Sequence, residues 1–156
     1  MSADESLQSA VQELKRADHS IAVSLKYTRT VDVIKSIVER LINTIGFELD
    51  ALVAHAKTQK KIAEVSALPR VKVEQVKKLY ETDRTIVDFC DFYLLLRRID
   101  KAKFDRTQEY RRHVTMTAHL DDGGSVEITI DIISDYFERT KEFLNYVSRL
   151  IHGGSE

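Results

Sequence analysis

Apolar residues recur at helical spacing through the first half of the chain. Between residues 30 and 61 they step by four, three and four positions and then repeat, which gives a period of 11 and a stripe of Ile34, Val38, Leu41, Ile45, Leu49, Leu52 and Ala56. A second stripe at the same spacing consists of Val31, Ile42 and Val53. Because so wide an apolar face has to be covered from several sides, we predict that this helix forms the core.

Three further helical segments are predicted around this core helix. Ser2 and Glu5 have the spacing of a capping box, which begins a first helix near Ala3 that runs to about Tyr27. The only proline, Pro69, precedes a segment from about Val71 to Arg98. The last helix is expected from about Ile133 to Ile151, with Gly153 at the position of a C-terminal cap.

Before the last helix the apolar period changes from 3.6 to 2. Two runs of alternating residues, Val114 to Leu120 and Val126 to Ile132, flank Asp121–Gly124 and predict a β-hairpin over about 112–132 with one apolar face. For the apolar residues of both strands to share one face, Leu120 has to lie opposite Val126 and His119 opposite Glu127. The loop then has three residues, 122–124, with Gly124 in the left-handed conformation. The sequence therefore predicts a mainly α protein, a single domain over residues 1–156 built as an antiparallel bundle of about four helices with an inserted β-hairpin.

Composition narrows the classes of partner and the compartment. The chain has 24 basic and 25 acidic side chains, so no global field draws it toward nucleic acid or an anionic membrane. The single cysteine, Cys90, lies in an apolar run and indicates a buried thiol in a reducing compartment. No apolar run approaches the roughly 18 residues of a membrane span. We expect a cytoplasmic protein without a membrane partner.

One segment departs from this neutral balance. Between residues 97 and 112 seven basic residues face three acidic ones; the basic residues are Arg97, Arg98, Lys101, Lys103, Arg106, Arg111 and Arg112. Phe104 and Tyr110 lie among them, and basic residues interleaved with aromatic ones can bind a nucleic-acid backbone and stack on its bases. The simpler interpretation is a solvated connector whose two aromatic residues anchor it to the bundle.

Residues for catalysis or for a cofactor are sparse. None of the five histidines has the spacing of a metal-binding pair, and no second cysteine or carboxylate cluster completes a ligand set. No glycine-rich loop follows a strand to hold phosphate, and no Ser or Cys nucleophile has an evident partner. We therefore expect neither a metal nor a cofactor.

Two pairs have the form Arg, six residues, His: Arg112 with His119, and Arg106 with His113. They resemble the motif of metal-independent ribonucleases of the HEPN superfamily, which are helical bundles with four to six residues between the Arg and the His. In the predicted hairpin, however, Arg112 and His119 point to opposite faces and stand about 23 Å apart. We therefore predict that the protein does not cut RNA.

The order of elements also resembles that of a group of small archaeal proteins with HEPN-like helices. The residues that carry this resemblance lie in the first helix, before the hairpin and in the last helix: Ala17–His19, Glu109–Arg112 and Tyr136–Phe143. The resemblance implies a helical fold and an archaeal source, and it implies no established activity.

Two hypotheses for function follow. The first is a non-enzymatic interaction or regulatory module that docks an unidentified protein or self-associates as a homo-oligomer such as a dimer, because the apolar helix faces and the hairpin edges exceed what a small monomer covers. The alternative is a HEPN-type RNA-binding protein or ribonuclease that uses the basic segment together with Arg112 and His119. Since no convergent set of polar residues is evident, the first hypothesis is favoured.

Overall fold

The computed structural model describes residues 1–153. The helices are α1 (Ala3–His19), α2 (Leu25–Tyr27), α3 (Val31–Thr58), α4 (Pro69–Leu79), α5 (Arg84–Lys101) and α6 (Ile130–Ile151), and the strands are β1 (Lys103–Thr107), β2 (Thr115–His119) and β3 (Ser125–Ile128). A π-helical turn, Ser20–Ser24, joins α1 to α2. The prediction of a mainly α protein with a small antiparallel sheet before the last helix is confirmed. No helix within the described residues is apolar over a length that would cross a membrane.

The helix α3 is the centre of the fold, as predicted. Every residue of its first stripe is fully buried, and α1, α4, α5 and α6 all pack against it. Its N-terminus has two acceptors: the Thr30 hydroxyl accepts the Val33 N–H at 3.3 Å, and the Glu109 carboxylate accepts the Val31 N–H at 2.9 Å. The second contact joins the start of α3 to a loop 78 residues further along the chain.

The predicted third helix, Val71 to Arg98, is wrong as a single element. It is divided into α4 and α5 by a turn at residues 80–83. Asp83 is the N-cap of α5, since its carboxylate accepts the Ile86 N–H at 3.1 Å, and it also accepts the Tyr146 hydroxyl at 2.5 Å. Asp83 is therefore the capping residue that starts α5. Within residues 1–153, five helices of more than ten residues therefore form the bundle.

The sheet has three strands in the order β1-β2-β3, one more than the predicted hairpin. The additional strand, β1, occupies part of the segment that was interpreted as a connector. Phe104 pairs with Ala118 and Arg106 with Met116, so these β1 residues share the face of buried β2 residues. The sequence of β1, Lys-Phe-Asp-Arg-Thr, has no apolar alternation, which is why its pairing with β2 was not predicted.

The register of the β2–β3 hairpin differs from the prediction by two positions. Ala118 pairs with Val126 and His119 with Ser125, so neither Leu120 opposite Val126 nor His119 opposite Glu127 is correct. The loop does have three residues, but they are 121–123, and Gly123 rather than Gly124 is left-handed with φ 91°. A shift of two positions keeps the same face buried, so the pattern of alternation could not distinguish the two registers.

The strand β3 is also shorter than predicted, because α6 begins early. The Thr129 hydroxyl accepts the Ile132 N–H at 3.1 Å and acts as the N-cap of α6. Ile130 and Ile132, assigned from their alternation to a strand, therefore lie in the first turn of the helix.

Candidate interaction surfaces

The Arg112 and His119 side chains of the ribonuclease hypothesis lie at the two ends of β2. Arg112 is in the turn before the strand and His119 is its last residue, and a five-residue strand spans roughly 14 Å. The His119 Nε2 lies 2.7 Å from the Asp105 Oδ2 on β1, and both side chains are exposed. His119 thus has an ordinary cross-strand partner, whereas Arg112, the other residue of the ribonuclease hypothesis, lies at the opposite end of the strand.

The seven basic residues predicted for nucleic-acid binding fall into two groups, with β1 between them. Arg97, Arg98, Lys101 and Lys103 lie at the end of α5 and the start of β1, whereas the others lie at or beyond its far end. Two of the seven are neutralised within the protein. Arg98 contacts Asp121 at 3.1 Å and Asp122 at 2.9 Å, and Arg106 contacts Asp32 at 2.8 Å. The predicted basic residues are therefore divided between the two ends of β1.

Three residues of the first group, Arg97, Arg98 and Lys101, border a groove of about 910 Å³ between α4 and α5, which we call the α4–α5 groove. Its apolar part comes from five side chains: Leu68, Pro69, Val71, Leu94 and Leu95. Leu68 is 65% exposed and Val71 is 40% exposed, values that are high for apolar residues so close to the core. The groove therefore leaves an apolar strip in contact with water.

Charged side chains surround this apolar strip unevenly. Arg70, Arg97 and Lys101 line the groove together with Glu74 and Asp91, whereas the fourth basic residue of the lining, Arg98, is paired with Asp121 and Asp122. Asp91 is paired with Lys77 at 2.5 Å, which lowers its weight in the local field. The Arg97 guanidinium lies 5.8 Å from the centre of the Tyr93 ring, a distance that suits a cation–π contact. The rim of the groove is thus positive in a chain whose formal net charge is −1.

Two residues of the second group, Arg111 and Arg112, belong to a different surface, near the start of α3. There the turn after α2 meets the loop after β1, and the Tyr110 N–H donates to the Arg29 carbonyl at 2.6 Å. We call this the tyrosine surface and define it by six residues: Lys26, Tyr27, Arg29, Tyr110, Arg111 and Arg112. Its two tyrosines are 77% and 76% exposed.

The backbone of this loop is held in an uncommon conformation. Gln108 and Tyr110 have φ values of 57° and 67°, in the left-handed region that residues with a side chain rarely adopt. The contacts of Glu109 with Val31 and of Tyr110 with Arg29 fix the loop in this form. A large aromatic residue is consequently held at a left-handed position with its ring in solvent, where no packing within the protein explains it.

Two buried ionisable groups lie away from both surfaces. The Cys90 thiol is fully buried, as predicted, and burial raises its pKa to about 12, so it is not a nucleophile at neutral pH. The Glu48 carboxyl on α3 is fully buried, and neither of its oxygens has a hydrogen-bond partner among residues 1–153. Burial raises the pKa of the Glu48 carboxyl well above its ordinary value, because the charged form would lie in the core without a partner.

Within the described part of the chain, no three His, Cys, Asp or Glu side chains are placed to hold a metal ion. Comparison with known proteins finds no matching family model, no similar curated protein and no similar solved structure. The resemblance to archaeal proteins with HEPN-like helices therefore stays a prediction.

Several residues of these surfaces were missed from the sequence. Arg70 and the exposed Leu68 follow a polar tract, where a single proline was the only evident signal. Lys26, Tyr27 and Arg29 lie at or just beyond the predicted end of the first helix, and no function was predicted for them. The one available signal was a tyrosine with a basic neighbour in each segment, Lys26 before Tyr27 and Arg111 after Tyr110. Nothing in the sequence indicated that the two segments meet.

Proposed function

We propose that the protein is a non-enzymatic interaction module that docks an acidic, amphipathic segment of a partner protein in the α4–α5 groove. The observation that carries this proposal is the combination of an apolar strip with a positive rim in one groove. Exposed apolar side chains favour a partner that removes them from water, and Arg70, Arg97 and Lys101 favour one that brings carboxylates.

The charge of the rim also indicates which modes of self-association are disfavoured. A two-fold contact between the grooves of two copies would bring the same basic residues face to face, and like charges at close range oppose association. Pairing through the sheet is also disfavoured, since β1 is a short edge strand carrying Lys103, Asp105 and Arg106. The self-association expected from the sequence stays a prediction. It would need other helix faces, and light scattering should then give a multiple of 17.9 kDa.

The docking proposal can be tested with designed peptides. The probe is a fluorescein-labelled helical peptide with leucines at i, i+3, i+4 and i+7 and glutamates beside them, and its control carries lysines in place of the glutamates. Fluorescence anisotropy should show saturable binding of the acidic peptide and none of the basic one. The double variant Leu68→Ser, Val71→Ser should weaken binding at least tenfold, which corresponds to about 1.4 kcal/mol.

The matched control is Val11→Ser, which removes a comparably exposed valine from α1, outside the groove. It should leave the affinity unchanged. Equal binding of the acidic and basic peptides, or equal loss in Val11→Ser and in the groove variant, would contradict the proposal. Failure of the acidic peptide to bind at millimolar concentration would contradict it as well.

The alternative hypothesis, a HEPN-type ribonuclease that uses Arg112 and His119, gains no support from the separation of these residues along β2. The cytoplasmic location and the archaeal source also stay predictions. A role for RNA does not depend on that pair, since it has separate support at the tyrosine surface.

A further inference from the structure

We propose that the tyrosine surface is a binding site for single-stranded nucleic acid, with Tyr27 and Tyr110 as stacking platforms and the neighbouring basic side chains as phosphate contacts. This inference goes beyond the proposed docking function and shares no residue with the α4–α5 groove. It also differs from the site expected from the sequence, because half of its residues, Lys26, Tyr27 and Arg29, come from α2 and the turn that follows it.

The two tyrosines carry the aromatic part of the inference. Both rings are about three-quarters exposed, whereas Tyr93 and Tyr136, which pack in the core, are almost fully buried. A tyrosine ring in water on a rigid backbone can stack on an unpaired base at little cost in side-chain entropy, and stacking tolerates any base. Two such rings on adjoining segments suit two bases of one strand.

The positive charge of the two segments carries the second part of the inference. Residues 26–32 and 106–112 contain five basic and two acidic side chains, a net of three positive charges in a chain whose formal net charge is −1. Both carboxylates have partners within the protein: Asp32 contacts Arg106 at 2.8 Å, and Glu109 accepts the Val31 N–H at 2.9 Å. Lys26, Arg111 and Arg112 are exposed beside the tyrosines, where they can contact phosphates.

The fold holds these groups in place before any ligand arrives. The contacts of Tyr110 with Arg29 and of Glu109 with Val31 join the two segments, so the rings and the charges do not have to be assembled on binding. The Nε of Arg29 is buried without a hydrogen-bond partner in residues 1–153, so no acceptor of the protein engages that nitrogen. A strand bound here would meet a surface that is already ordered.

The test uses fluorescein-labelled single-stranded RNA and DNA of about 12 nucleotides and a duplex of the same length, with binding followed by anisotropy at several salt concentrations. Single strands should bind and the duplex should bind more weakly, because its bases are not available for stacking.

Each of Tyr27→Ala and Tyr110→Ala should weaken binding by about 5-fold to 100-fold. Tyr27→Phe and Tyr110→Phe keep the ring and should retain the affinity. Arg111→Gln should reduce the slope of log affinity against log salt by about 0.7.

Matched controls separate this site from general attraction to a polyanion. Lys101→Gln removes a charge at the α4–α5 groove and should leave RNA binding unchanged, and each alanine variant should keep the parent thermal midpoint because both rings are exposed. Failure of the single strands to bind at low salt would overturn the inference. So would affinity that is insensitive to both alanine variants, or tyrosine-dependent binding to vesicles with anionic lipid without binding to the single strands. Because the peptide probe depends on the groove and the oligonucleotides on the tyrosine surface, either proposal can fail alone.

Discussion

Glu48 offers a sharp test of the packing around α3. It is fully buried, the residues beside it on the helix, Ile45, Leu49 and Leu52, are fully buried too, and its carboxyl has no hydrogen-bond partner in residues 1–153. A buried polar group without a partner costs about 1–3 kcal/mol. Leucine has a similar size and no polar atoms, so we expect Glu48→Leu to raise the free energy of unfolding by about that amount.

The carboxyl also makes the stability depend on pH, with a definite sign. Burial raises the pKa of Glu48 in the folded protein well above the 4.5 of the unfolded chain. Below about pH 4.5 both states hold the proton, so this group does not alter stability there. As the pH rises between the two pKa values, only the unfolded state releases its proton. The free energy of unfolding therefore falls by about 1.4 kcal/mol per pH unit and levels off above the folded-state pKa.

Urea denaturation followed by circular dichroism, at several values between about pH 4 and pH 8, measures both effects. The advantage of Glu48→Leu over the parent should grow as the pH rises, and Glu48→Gln, which cannot ionise, should show the same growth from a smaller start. Glu142→Gln is the matched control, because Glu142 is an exposed glutamate on α6 and should change stability by less than about 0.5 kcal/mol. A constant difference between the parent and Glu48→Gln across the range would refute the reasoning, as would a loss of stability in Glu48→Leu.

Three further predictions concern the core, a helix cap and catalysis. Leu49→Ala should lower the free energy of unfolding by about 2–5 kcal/mol, and a thermal midpoint equal to that of the parent would contradict its place in the core. Asp83→Ala should cost about 1–2 kcal/mol through the lost cap of α5, whereas Asp88→Ala in the same helix should cost little. Purified protein should not cut single-stranded RNA without metal, and cleavage abolished by both Arg112→Ala and His119→Ala, with each variant folded, would reverse this.

The core of the fold could be predicted because its signal is local and long. The 11-residue period holds an apolar stripe on one side of α3 for more than six turns, and no other element accommodates that pattern. The capping box of Ser2 and Glu5 likewise specifies the start of α1 within four residues, and both of its hydrogen bonds are present. In these places the residues that make a contact are also neighbours in sequence.

The elements that were missed depend on contacts between distant residues. Arg98 contacts Asp121 and Asp122, the latter of which accepts the Gly124 N–H at 2.9 Å. These contacts favour the loop 121–123, whereas the apolar alternation fits either register equally. The role of Asp83 is ambiguous in the same way. From the local sequence alone, this aspartate could either interrupt the apolar face of one long helix or act as the N-cap of a new helix. Its second partner, Tyr146, lies 63 residues away.

The tyrosine surface extends this argument from fold to function. Neither of its segments has a pattern that indicates a site, and the surface exists only because the loop after β1 packs on the start of α3. The Glu109 carboxylate makes that contact by accepting the Val31 N–H. The same carboxylate lies 3.7 Å from the Arg106 guanidinium, and Arg106 also contacts Asp32 in the first turn of α3. The carboxylate that completes the N-terminus of the core helix therefore also positions Tyr110 beside Arg29. One residue serves both purposes, and the loop that carries Tyr110 is held against the start of α3. An exposed ring on a backbone held in this way suits the proposed stacking on a flexible single strand.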